Sequence, residues 1–466
     1  MKQEEIFNRL LNDKNKEVRQ SLVENPNLPQ SILKELAKDK NDWIRHKVAK
    51  HPNTSSKTLE KLSQDTDKYV RAGVASNSNT PEEVLERLLQ EEELAVKLNL
   101  AYNPSLSPSI SFNILDELSN SDDMNLKTRI ARDTSTPADI LEKLSNDDNW
   151  RVKEAVAANP NTSPKTLEKL SQDEMGFVIR AVAKNPHTPT HTLGMLSNNE
   201  EANVRAYVAS NPSTHINILT KLSKDKDEFV RMRVAKNPNA PVDILIQLSN
   251  DEDKEVRENV VSNPSTPVEV LEKLSKDENK LVRAEVAKNP KIPVNLLEKL
   301  SQNKDSVVRK AIVSNPNVTP SILTKLAEDE DDEVRLAVAY NHVTPSETLS
   351  KLSQDENKYV KQQVAANPST PAEILIDFSK SKNRDIKRIV AKNPSIPQEA
   401  LKRLSKDRSK YIREEIAFNP STPIEILDKL SQDRDVDVRR FTAENPNIGK
   451  ANTPQPQQNK SISPSI

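Results

Sequence analysis

One position of a short recurring phrase holds a cation in sixteen of its seventeen copies, and that column is the first place to look for chemistry. Arg19, Arg45, Arg71, Arg205, Arg231, Arg257, Arg283, Arg309, Arg335, Arg413 and Arg439 occupy it, with Lys97, Lys127, Lys153, Lys361 and Lys387 in five further copies and Ile179 in one. A ladder of cations could form a groove for phosphates or an acidic peptide. Helical phase opposes that reading. At about 100° per residue, setting the first valine of V-R-x-x-V-A at 0° places the second at about 40° and the alanine at about 140°, so the arginine at about 100° falls inside the buried sector. We therefore read the column as a structural ladder. Its stems pack between repeats, and its guanidiniums meet carbonyls or carboxylates of the same or the next copy, such as Asp227 for Arg231.

Other reactive residue types are sparse or dispersed. The chain has no cysteine, hence no thiolate nucleophile, disulfide or iron–sulfur ligand. His187 and His191 stand four apart, but Pro189 lies between them and no HExxH element accompanies them. Four glycines are too few to build a phosphate-binding loop. Asp225, Asp251 and Asp277 belong to a column repeated along the chain, where a unique catalytic site has no place. No catalytic, cofactor or metal residue is assigned.

Aromatic residues give the second signal. Eleven of the fifteen stand at three positions of the phrase: Trp43, Tyr69, Phe177, Phe229, Tyr359 and Tyr411 at the first, Tyr207 and Phe441 at the second, and Tyr102, Tyr340 and Phe418 at the third. All three positions fall on the sector opposite the apolar stripe, where large rings offer contact area to a partner at small entropic cost. The competing role, for the first position, is packing against the preceding loop. Neighbouring columns mix signs, with Glu154, Glu258, Glu414 and Glu415 beside Arg180, Arg233, Arg388 and Arg440. Such a mixture suits a protein surface better than a nucleic-acid track.

These residues need elements to hold them, and a 26-residue period supplies the elements. It is marked by Asn25, His51, Asn77, Asn103, Asp133, Asn159, Asn185, Asn211, Asn237, Asn263, Asn289, Asn315, Asn341, Asn367, Asn393, Asn419 and Asn445, with one longer interval of 30 between Asn103 and Asp133. NPSTPVEVLEKLSKDENKLVRAEVAK, from Asn263 to Lys288, is a clean copy. Thr266 reads as the N-cap of a first helix with Pro267 in its first turn, followed by the stripe Val270, Leu271 and Leu274. Asn279 caps a second helix carrying Val282, Val286 and Ala287, and Asn289 before Pro290 ends it, asparagine tolerating the left-handed conformation of a helix end. No segment alternates with period two, so no strand is expected. Such units bury their apolar faces only on one another.

The expectation is an all-α, elongated solenoid of about seventeen two-helix repeats over residues 1–446, irregular near 78–133, with a disordered Pro, Gln and Ser tail over 447–466. In the longer interval the first helix gains four residues, close to one turn. The charge balance of 69 basic and 70 acidic residues gives no overall field to gather nucleic acid. No secretory signal or membrane span is visible, so a cytoplasmic monomer is expected.

The phrase NPxTPxxxLxxLSxD followed by VRxxVA closely resembles the leucine-rich repeat variant family, a bacterial relative of the HEAT and armadillo solenoids. The resemblance implies a right-handed superhelix with one short or 3₁₀ helical layer. Members of that family that carry an iron–sulfur segment do so on cysteines absent here. The V-R element also looks like the second helix of HEAT-like repeats, a group that includes enzymes, nucleic-acid binders and adaptors. The reading adopted is a non-enzymatic protein-binding scaffold using the exposed face of the second helices. Its alternative is a HEAT-like enzyme or nucleic-acid binder using a local basic stretch.

Overall fold

The computed structural model describes residues 2–448, which contain 34 helices and no strand. A shorter first helix alternates with a longer second one: Val268–Leu274 has 7 residues and Lys280–Lys288 has 9. Both are α-helices, so the short layer is not 3₁₀. Val270, Leu271, Leu274, Val282, Val286 and Ala287 are all buried, and neighbouring second helices such as Lys254–Ser262 and Lys280–Lys288 pack directly on one another. Asn279 caps its helix by accepting from the Leu281 N–H at 2.8 Å. The longer interval lengthens the first helix to Pro108–Ser119, 12 residues capped by Ser107.

Two local expectations are corrected. Thr266 does not cap the first helix, which starts at Val268 after Pro267 in an extended conformation. Its buried hydroxyl instead donates to the carbonyl of Val260, at the end of the preceding second helix. Threonine recurs there because a β-branched residue fills the space while its Oγ1 satisfies a helix-end carbonyl. The marker asparagines are not left-handed either. Asn289 has φ −66° and ψ 127°, the extended backbone that a following proline imposes.

The described residues divide into two compact units, one within Met1–Ser105 and Ala372–Ile466, the other Leu106–Pro371. In the second unit the repeats stack in chain order. In the first, the last second helix, Val436–Glu444, packs on Lys16–Val23, so the final repeat is followed in the stack by the initial one.

That junction reproduces the contacts of an internal boundary. Asn25 Nδ2 donates to the carbonyls of Ala443 and Asn445, both at 3.1 Å, as Asn237 donates to Ala209 and Asn211. Arg439 pairs with Asp13 at 2.7 Å, and Arg9 reaches Asp428 at 3.1 Å. Asn27 donates to the Pro446 carbonyl at 3.0 Å. Asn447 and Ile448, assigned from sequence to the tail, belong to the stack: Ile448 is buried and Asn447 Nδ2 donates to the Thr422 carbonyl at 3.2 Å. The rest of the expected tail lies outside the described residues.

Candidate functional site

Side chains on the second helix divide between the interior of the stack and its surface, and the arginine column lies inside. Arg231 is representative. Its Nε donates to Asp251 Oδ2 at 2.8 Å and its Nη2 to Oδ1 at 3.0 Å, a bidentate fork, while Nη1 donates to the Asp225 carbonyl at 3.0 Å. The carboxylate sits twenty residues ahead, in the turn of the next repeat. Asp227, the partner expected from sequence, instead caps its own helix through the Phe229 N–H. An i, i+4 partner would lie on the same helix surface, but the arginine stem runs into the groove between repeats and carries its fork to the following turn.

Most other ladder positions follow the same plan; Lys97 instead reaches back to Glu92. Arg19, Arg45, Arg205, Arg257, Arg309, Arg335 and Arg413 each meet the aspartate twenty residues on. Arg71 meets Glu91 and Arg283 meets Asp305. Lys127, Lys153 and Lys387 make the equivalent single contact. The electrostatics match the geometry. Burial works against ionisation of Asp225, yet hydrogen bonds from Arg205 and the Asp227 N–H hold its carboxyl below the usual carboxylate range. The same bond raises Arg205 above the ordinary guanidinium value. A cation engaged by two oxygens and a carbonyl has little left for a ligand.

The aromatics lie on the outer side of the second helices. Trp43, Tyr69, Phe177, Tyr340, Tyr359, Tyr411 and Phe418 are each more than a third exposed, Tyr340 the most at 63%. Tyr102, Tyr207, Phe229 and Phe441 are half-buried. Cations of the same face sit over several of them: Arg180 over Phe177 at 4.5 Å, Lys184 over Tyr207 at 4.2 Å, Arg233 over Phe229 at 4.7 Å and Lys47 over Trp43 at 4.8 Å. These contacts orient rings without covering them.

A concavity on this face, about 510 Å³, lies in the second unit and joins Phe177 and Tyr207 with Arg132, Glu154, Arg180, Lys184, Ala155, Ala158 and Ala181. Trp150, one position outside the aromatic columns and so missed from sequence, stacks on Phe177 at 5.1 Å. Exposed Leu281 and Val307 were missed as well, although they occupy the Phe177 column in other repeats; tracking that column for any apolar residue would have found them.

A concavity of about 790 Å³ in the first unit is lined largely by cations, Lys382, Arg384, Arg403, Lys406 and Arg408, with Tyr411 beside them. The acidic trio Glu414, Asp435 and Asp437 beside it surrounds the Lys410 ammonium, 2.8 Å from Asp437. His191 pairs with Glu168 at 3.0 Å. Among the described residues, no helix is long and apolar enough to cross a membrane.

Comparison with known proteins places the repeat. A family model described as leucine rich repeat variant matches residues 150–175 and 255–279. Among solved structures the chain is similar to a leucine-rich repeat variant described as having a novel repetitive structural motif, at 25% identity and a TM-score of 0.36 over 47% of this chain and 87% of that one. It is also similar to an engineered protein, at 19% identity and a TM-score of 0.18 over 97% and 100% of the two chains. No curated protein matches this chain. The two matched segments and the alternating helices make this a helical-repeat protein whose repeats are similar to those described as leucine rich repeat variant.

Proposed function

We propose that this chain is a non-enzymatic, cytoplasmic scaffold that binds protein partners along the outer side of its second helices. The observation that carries the reading is the set of seven aromatic rings more than a third exposed on that side, because monomeric surfaces rarely gather so much aromatic area without a use for it. The Phe177 and Tyr207 concavity is the natural anchor point: it offers apolar walls with Arg132, Arg180, Lys184 and Glu154 at the edge, the apolar centre and polar rim of a protein interface. The ladder arginines are assigned to cohesion between repeats, since their donors are engaged.

The test is affinity capture from lysate with the intact chain, a Phe177→Ser and Tyr207→Ser variant, and a Tyr340→Ser and Tyr359→Ser variant, each shown folded by circular dichroism. Loss of a captured protein with the first variant supports the scaffold and locates its anchor. Identical capture by all three chains would remove the aromatics from the binding surface.

A further inference from the structure

The turn joining the two helices of each repeat contains, five residues before the ladder position, an exposed residue. In the first unit this position is held in five successive layers by Lys382, Arg408, Arg434, Lys14 and Lys40. The second helices that follow them, Arg384–Lys392, Lys410–Phe418, Val436–Glu444, Lys16–Val23 and Asp42–Lys50, pack each on the next. The row crosses the junction between the final and initial repeats, so it exists only because those repeats are stacked. All five cations are exposed, and none has an ion pair among the described residues.

The same position in the second unit carries Asp122, Asp148, Glu174 and Glu200 in four successive layers. These too are exposed, and none has an ion pair among the described residues. Stacked helices lie about 10 Å apart, near the Debye length of about 8 Å at physiological salt, so each row repels itself only weakly.

We propose that the cation row of the first unit docks on the anion row of the second unit in another copy of the chain. Pitch is the reason to choose this occupant. One repeat builds both rows, so each advances by the same step, and each of the four carboxylates can face one of the five cations. A nucleic-acid backbone is a poorer match. Asp385, Asp437, Glu17 and Asp42 follow four of the five cations within three residues and would repel a continuous line of phosphates. The near-zero net charge of −1 places no general repulsion between copies. Exposed pairs are individually weak, so the association is shallow, salt-sensitive and set in register by the charge pattern. The monomer expected from sequence takes no account of this register.

Sedimentation velocity on the full chain tests the proposal, in about 0.05 M and about 1 M salt. The wild type should form a species of twice the chain mass in low salt, with an apparent Kd at least about tenfold weaker in high salt. A chain with Lys382→Glu and Arg408→Glu, both away from the junction, should lose self-association, as should one with Asp148→Lys and Glu174→Lys. The two variants mixed should associate with each other. Circular dichroism establishes that both are folded. A wild type that stays monomeric in low salt, or that associates equally at both salts, overturns the proposal. So does self-association that survives the charge reversals, or a mixture that fails to pair. Tighter binding of a labelled thymidine oligonucleotide than of a second copy, abolished by Lys382→Glu and Arg408→Glu, would give the row to nucleic acid instead.

Discussion

A marker asparagine spends its whole amide on cohesion. In Asn237 the Nδ2 group donates to two carbonyls of the preceding repeat, Ala209 at 2.7 Å and Asn211 at 3.1 Å, while Oδ1 accepts from the N–H of Asn239 at 2.9 Å. Removing it takes the side-chain donor from the Ala209 carbonyl and the acceptor from the Asn239 N–H, while the Asn211 carbonyl keeps the Thr214 N–H, so Asn237→Ala should cost about 2 kcal/mol. Asn237→Asp should cost more, because it turns a donor into a charge facing two acceptors. Hydrogen exchange of the flanking repeats measures both. His51 shows what the position requires. Its Nε2 faces the Asn25 carbonyl at 3.2 Å and its Nδ1 accepts from the Asn53 N–H at 3.1 Å. This is the neutral tautomer with the proton on Nε2, since a carbonyl only accepts and a backbone N–H only donates. Burial pushes the imidazole below its ordinary value, against the pull of the Asn25 carbonyl and Glu24. The unfolded chain therefore binds the proton first as pH falls, and stability that is complete above about pH 7 declines towards pH 5. His51→Asn should flatten that part of a melting-temperature profile; an unchanged slope would contradict the assignment. The marker was legible in the sequence, but its amide chemistry was not, because the acceptors lie 26 and 28 residues back and nothing local announces them.

At the scale of the element, helix positions followed from apolar spacing, while the turn chemistry did not. Val282, Val286 and Ala287 fix the buried side of their helix, and Asn279 starts it, as its sequence indicated. Thr266 before Pro267 has the pattern of a helix start, yet its hydroxyl closes the helix behind it. The two roles share a sequence and differ only in which helix end the chain brings near. Thr266→Val keeps the shape and removes the bond, so it should cost about 1 kcal/mol, read as a lower urea midpoint. A first helix of 7 residues is too short to persist alone, and it survives through Leu271 and Leu274 buried against its neighbours. The ladder performs the matching task in the polar layer. Arg231→Ala should cost about 2 kcal/mol, between the values for exposed and buried pairs. A double-mutant cycle with Asp251→Ala should return a coupling of about 1 kcal/mol or more, where Asp227→Ala should return none.

At the scale of the whole molecule, the sequence announced the repeat and concealed the junction. A stack with exposed ends needs polar capping repeats. Here Asp13 and Asn25 at one terminus, and Arg439 and Ile448 at the other, keep the residue types of internal boundaries. That retention is the sequence trace of the junction, and it can be read only once the ladder is known to run from each arginine to an aspartate in the following repeat. The aromatic columns and the two charged rows are likewise products of stacking, since single repeats show one ring or one charge and only the assembled layers show a surface. A direct test of the stacked account uses the absence of cysteine, which allows paired labels to be introduced cleanly. Spin labels at Asn12→Cys and Gln432→Cys mark equivalent turns of the initial and final repeats; labels at Gln172→Cys and Asn198→Cys mark two neighbouring internal turns. Pulsed dipolar spectroscopy should give both pairs the same short, narrow distance distribution. A broad or long distribution for the first pair beside a narrow one for the second would contradict the junction, and with it the cation row that crosses it.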